Sequence, residues 1–156
     1  MIPVQRLNHA VLYVRDAARS AAFYQEAFGF EVVTELQGAA FLRAGGSSNH
    51  HDLGLFSVGP EAPGPEQGRV GLYHLAWQVP SIDDLGPARD LLLQLGAYTG
   101  ESDHGATKSI YGKDPDGNEF EIMWMLPRTE WGEHESSAVV APLDLDREVE
   151  RYGSRS

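Results

Sequence analysis

The chain has no cysteine at all. That absence removes disulfides, thiolate metal sites and cysteine nucleophiles together. Basic residues are scarce too: 12 Lys and Arg stand against 23 Asp and Glu, a formal charge of −11. Such a balance disfavours nucleic acid and anionic membrane surfaces as partners and speaks mainly to solubility. No apolar run approaches membrane-spanning length, and the start Met1-Ile2-Pro3-Val4-Gln5-Arg6 lacks the apolar core of a signal peptide. A cytoplasmic location is the resulting expectation. At 156 residues the chain fits one domain with an ordinary core.

What the chain does have is a repeat. Leu7 to Val14 reads as a strand with His9, Val11 and Tyr13 on one face. Asp16 caps a helix over Ala17 to Phe28, where Ala17, Ala21, Tyr24 and Phe28 fall at helical spacing, and Gly29 stops it. Strands follow at Phe30–Glu35, Ala39–Ala44 and His51–Val58. After a Pro- and Gly-rich stretch the pattern starts again. Gly71 to Val79 is a strand, Ser81 caps a helix with Asp83 and Asp84 in its first turn, and Leu85, Leu92 and Leu95 line that helix before Gly96. Strands near Ala97–Glu101, Thr107–Tyr111 and Glu119–Trp124 complete the second copy. Leu-Asn-His-Ala at residues 7–10 aligns with Leu-Tyr-His-Leu at residues 72–75, an offset of 65 residues. The expected fold is therefore α+β, with two tandem βαβββ modules. One domain covers 1–126, with module one at 5–58, a linker at 59–69 and module two at 70–126. A polar tail runs over 127–156, with a short helix from Leu143 to Tyr152 capped by Asp144.

Of the six histidines, five (His9, His50, His51, His74 and His104) precede or lie within predicted strands. The repeat makes His9 and His74 equivalent. On the last strand Glu119, Glu121 and Met123 share a face, and an acid beside apolar neighbours needs a cation, a metal or a strong set of hydrogen bonds. Two histidines and one glutamate form a set that borderline divalent ions accept while leaving positions open, suiting non-haem Fe(II), with Mn(II) or Zn(II) as alternatives. By residue reading alone Glu119 and Glu121 remain rivals. Just before this strand, Asp114-Pro115-Asp116-Gly117 is a tight turn, with Pro115 presetting φ and Gly117 taking a positive φ.

Those residues carry a resemblance. The paired modules with His9, His74 and Glu121 resemble the vicinal oxygen chelate superfamily over roughly residues 5 to 126. Within it, His104 followed by Ile110-Tyr111-Gly112-Lys113-Asp114-Pro115-Asp116-Gly117-Asn118-Glu119-Phe120-Glu121 is similar to the signature of type I extradiol dioxygenases such as catechol 2,3-dioxygenase. Ser102 is a mild departure from that signature. The resemblance implies a metal held by His9, His74 and Glu121, and a sheet curved around it. It implies His51 as acid/base, and Tyr111 and His104 as donors of hydrogen bonds to developing oxyanions. It further implies a catechol-type substrate with O2 and a homodimer. Trp77, Phe41 and Trp124 are candidate walls. Gly54 stands where related glyoxalases carry a fourth ligand, which argues against their chemistry. Fosfomycin-resistance enzymes share a set of two histidines and one glutamate, so a metal-dependent transferase or lyase is the main alternative, and a non-catalytic binding module is a third reading. The best-known two-domain enzymes of the family are about twice as long as this chain.

Overall fold

The computed structural model describes residues 1–137 and 139–154. Ala138, Arg155 and Ser156, part of the expected tail, lie outside the described residues. The chain divides into two compact units, Met1–Pro65 and Glu66–Ser156, parting within the expected linker.

The first unit contains β1 (Ala10–Val14), α1 (Ala17–Phe28), β2 (Glu31–Leu36), β3 (Ala39–Arg43) and β4 (Leu53–Ser57). Its sheet has the order β1-β4-β3-β2, with β1 parallel to β4 and the other pairs antiparallel. Alternation along β1 turns Leu12 and Val14 inward and leaves Val11 and Tyr13 exposed. α1 buries Ala17, Ser20, Ala21 and Tyr24. The Asp16 carboxylate accepts from the Arg19 N–H at 2.9 Å, and Gly29, at φ 64°, ends the helix with its N–H on the Gln25 carbonyl. Leu42, Leu53 and Leu55 are wholly buried between helix and sheet, each contributing about 1.5–3 kcal/mol of transfer free energy.

The second unit repeats the order with β5 (His74–Gln78), α2 (Leu85–Gln94), β6 (Tyr98–Asp103), β7 (Thr107–Lys113) and β8 (Glu119–Met125), followed by α3 (Leu145–Tyr152). Its sheet order, β5-β8-β7-β6, matches the first, again with the outer pair β5/β8 parallel. The likeness extends to a flaw: the β2/β3 register slips between Val32 and Thr34, and the β6/β7 register slips between Tyr98 and Gly100. Ser81 and Asp84 form the capping box of a short 3-10 turn, Ile82–Asp84, that leads into α2. Asp144 caps α3 by accepting from the Arg147 N–H.

The expected α+β architecture of two βαβββ modules is thus present, each module with its four-stranded mixed sheet. Several ends moved. β1 begins at Ala10 and β4 at Leu53, because ladder pairing starts at Ala10↔Leu53; Leu7–His9 and His51 lie just before their strands. β5 likewise begins at His74, where its partner β8 begins at Glu119. No helix of the described residues is long and apolar enough to cross a membrane.

Candidate metal and acid–base site

The registers of the two sheets show what the repeat did with one position. In the second unit Glu121 sits between Ala76 on β5 and Tyr111 on β7. In the first, Gly54 sits between Val11 on β1 and Phe41 on β3. Gly54 is therefore the structural counterpart of Glu121, as the sequence spacing indicated, and Phe41 is the counterpart of Tyr111 without its hydroxyl.

Around Glu121 the second unit gathers four of the expected residues. Glu121 is only 8% exposed, and its Oε2 lies 3.1 Å from Nε2 of His74. The Tyr111 and His74 rings are 5.9 Å apart between centroids. The Tyr111 hydroxyl is 2.6 Å from Nε2 of His104, whose Nδ1 is 2.8 Å from the Val139 carbonyl. Burial, and then the nearby Glu121 charge, push the Tyr111 phenol above its ordinary pKa, so it stays protonated. Glu119, the rival acid, is engaged elsewhere: its charge and a hydrogen bond raise the pKa of Tyr73, next to His74 in the chain.

The His74–Glu121 spacing bears on whether a metal fits. Two ligands about 2.1 Å from one ion and at a right angle lie about 3.0 Å apart. The observed 3.1 Å suits that geometry, and equally suits an imidazole N–H donating to the carboxylate when no ion is present. Nδ1 of His74 is buried without a hydrogen-bond partner, so with no ion present the Glu121 carboxylate favours the proton on Nε2. Among the described residues no three His, Asp or Glu side chains are grouped to hold a metal ion. The structure brings together His74 and Glu121; His9 belongs to the first unit.

There His9 has its own setting. Its Nδ1 lies 2.9 Å from Oδ1 of Asn8, which directs the ring proton to that side and leaves the Nε2 lone pair free. Its ring is 4.5 Å from that of His51, which in turn meets the edge of Phe41 at 5.1 Å. Partial burial, and then the charges of His9 and His50, lower the His51 pKa against an opposing effect of Asp52, favouring a neutral imidazole. The expected metal ligand and acid/base of module one are thus neighbours. Sequence reasoning missed what holds them. Asp52 accepts from the Ala44 N–H at 2.9 Å, from Ser47 Oγ at 2.7 Å and from Asn49 Nδ2 at 2.7 Å, closing the loop that carries His50 and His51. Asn49 Nδ2 also donates to the Asn8 carbonyl at 2.8 Å, tying that loop to the residue before His9.

Two expected wall residues are on the wrong face. Trp77 pairs with Ile122 and Trp124 with Lys108, one step out of phase with Glu121, so both point to the opposite side of the sheet. The Trp124 ring contacts Tyr152 of α3 at 5.4 Å. Phe41 keeps its expected face.

A family model described as the Glyoxalase/Bleomycin resistance protein/Dioxygenase superfamily matches residues 6–122. A catechol-2,3-dioxygenase of Bacillus subtilis (strain 168) is 33% identical over 144 residues, covering 91% of this chain but 50% of that protein. The metallothiol transferase FosB of Lysinibacillus sphaericus (strain C3-41) is 33% identical over 125 residues, covering 76% of this chain and 82% of that protein. A crystal structure of a glyoxylase/bleomycin resistance protein/dioxygenase domain from Frankia sp. EAN1pec superposes with a TM-score of 0.65 at 22% identity. It covers 79% of this chain and 99% of that one, a likeness of fold.

Proposed function

The chain belongs to the glyoxalase/bleomycin resistance protein/dioxygenase superfamily, and from that premise we propose that it is an Fe(II)-dependent extradiol dioxygenase opening the ring of a catechol-type diol with O2. The observation that carries the reading is the contact of part-buried His74 with buried Glu121 at 3.1 Å, with the Tyr111–His104 hydrogen bond beside it. His9, His74 and Glu121 would hold the metal, with Mn(II) or Zn(II) as alternatives to Fe(II). The ion would supply a Lewis-acidic centre at which a diol and O2 meet. His51, a neutral imidazole beside His9, would take a proton from the entering diol and return one later. Tyr111 and His104 would bind and orient oxygen atoms of the bound molecule. The reading includes residues 1–126 as one glyoxalase-like domain, a homodimer, a cytoplasmic setting, and no nucleic-acid or membrane partner.

The dioxygenase relative is twice the length this chain covers, whereas FosB is matched over most of its length. That favours keeping a second reading, a metal-dependent transferase joining a thiol to an electrophile. One experiment separates them. Protein purified without oxygen and loaded with Fe(II) is given a panel of catechols in air-saturated buffer, while O2 uptake and the yellow absorbance of ring-opened semialdehydes are recorded. Matched uptake and colour support ring cleavage. Metal bound tightly with no O2 uptake, together with metal-dependent thiol consumption, would replace it with the transferase.

A further inference from the structure

The segment after β8 is fastened to the second unit at several points. Asp103 and Ala141 exchange two backbone hydrogen bonds, at 2.8 and 2.9 Å. Leu143 and Leu145 are buried. Glu148 of α3, 3% exposed, lies 3.4 Å from the Lys108 ammonium. The Tyr152 ring packs on Trp124, and the Ser154 N–H donates to Asp83 at 2.8 Å. Two residues before the Asp103–Ala141 bridge, the Val139 carbonyl sits 2.8 Å from His104 Nδ1.

A carbonyl oxygen only accepts, so His104 Nδ1 must carry a proton. In the neutral ring Nε2 is then a lone pair, and the Tyr111 hydroxyl 2.6 Å away must be the donor. We propose that residues 139–154 are a positioning strap that holds His104 in its Nδ1–H tautomer. The strap thereby sets the polarity of the Tyr111 oxygen, which spends its proton on His104 and offers lone pairs to the His74–Glu121 side. With the opposite tautomer Nε2–H would donate to Tyr111, and the Tyr111 proton would be free to turn toward a bound oxyanion. The expected pair of oxyanion donors therefore becomes one hydrogen-bond chain whose direction a backbone atom 35 residues away decides. Val139 and Ala141 act here through His104 and are positioning residues. The catalytic meaning of this device rests on the ring-cleavage reading, whereas the tautomer itself does not.

Long-range 1H–15N correlation spectra of the full chain with 15N-labelled histidine, taken at about pH 8, above the ordinary imidazole pKa, read the tautomer directly. The wild type should show a protonated Nδ1 and an unprotonated Nε2 for His104, assigned by loss of the signals in His104→Gln. Tyr111→Phe should leave that tautomer in place, because the carbonyl and not the phenol imposes it. Ala141→Pro deletes the N–H that Asp103 accepts, and Leu145→Ala loosens α3. Each should shift the tautomer ratio toward Nε2–H by about tenfold while tryptophan fluorescence still reports a folded second unit. A wild-type His104 protonated on Nε2, or a tautomer that follows Tyr111→Phe and ignores both strap variants, would overturn the proposal. In chains that cleave diols, the strap variants should change kcat with KM little changed. A wild type that lacks ring cleavage but shows the Nδ1–H tautomer would refute the dioxygenase reading and leave the strap standing.

Discussion

Lys108 is the residue whose removal the second unit should tolerate least. It sits on β7, 5% exposed, on the face opposite Tyr111. Its ammonium lies 2.6 Å from Asp103 Oδ1, 3.2 Å from the Gly105 carbonyl and 3.4 Å from Glu148 Oε2. Lys108→Met keeps the aliphatic stem and deletes the charge, leaving the buried Glu148 and the part-buried Asp103 carboxylates without the cation they share. Asp103 would retain the Gly105 N–H at 2.7 Å, and Glu148 would retain the largely exposed Arg147 at 2.9 Å. Two charge-assisted hydrogen bonds at about 1.5–3 kcal/mol each agree with the roughly 3–5 kcal/mol lost on breaking a buried pair. For a chain of this size that is a fall in Tm of roughly 6–20 °C. Trp77, Trp124 and Trp131 are the protein's three tryptophans, all in the second unit, so fluorescence-detected thermal and urea unfolding reports that unit alone. Replacing the pair together, Lys108→Met with Glu148→Met, should recover part of the loss, since an apolar substitute needs no compensating charge. A single-variant loss below about 1 kcal/mol would place this pair with surface salt bridges and refute the reasoning.

Other outcomes follow from the same geometry. Glu121→Gln should weaken Fe(II) or Mn(II) binding by about tenfold or more in competition with a chromophoric chelator, while Glu119→Gln changes it little. Asp103 and Asp52 both ionise more readily in the folded chain. For each, burial opposes ionisation but is outweighed: by Lys108 and the Gly105 N–H for Asp103, and by donors from Ala44, Ser47 and Asn49 for Asp52. A depressed carboxyl pKa gives stability that is present above the unfolded value of about 3.9 and lost as pH falls through the lower folded value. Acid unfolding should accordingly set in below about pH 4, and Asp52→Asn should flatten that limb for the first unit, read by amide hydrogen exchange of β3 and β4. Gly105 has φ +77°, and a Cβ there would come within 2.5 Å of the His134 ring. Gly105→Ala should cost about 1–3 kcal/mol in urea unfolding of the second unit, and a neutral result would mean His134 does not pack there.

Much of the fold could be read from residue order. The two capped helices, the glycine stops and the 65-residue offset gave the repeat, and the strand registers reproduce it down to the pairing of Gly54 with Glu121's place. The faces of Trp77 and Trp124 were readable too, since each is out of phase with His74 or Glu121 along a strand of period two. Their size drew attention before their parity did. What no pattern along the chain could reveal are contacts made by backbone atoms or by charges folded inward. The Val139 carbonyl has no residue signature, and Lys108 and Glu148 look like ordinary solvent-facing charges until β7 and α3 meet. Strand ends were misjudged where a partner strand began later than the apolar pattern did.

The matched registers also bear on where a ligand could be added. At the central slot the second unit holds a carboxylate with a phenol beside it, and the first holds glycine with phenylalanine. A side chain on Gly54 would begin 3.3 Å from a Val11 methyl and 3.5 Å from the Phe41 ring. An acid placed there by one substitution would meet hydrocarbon rather than a donor that offsets its desolvation, so an equivalent of Glu121 in the first unit needs its neighbours changed with it.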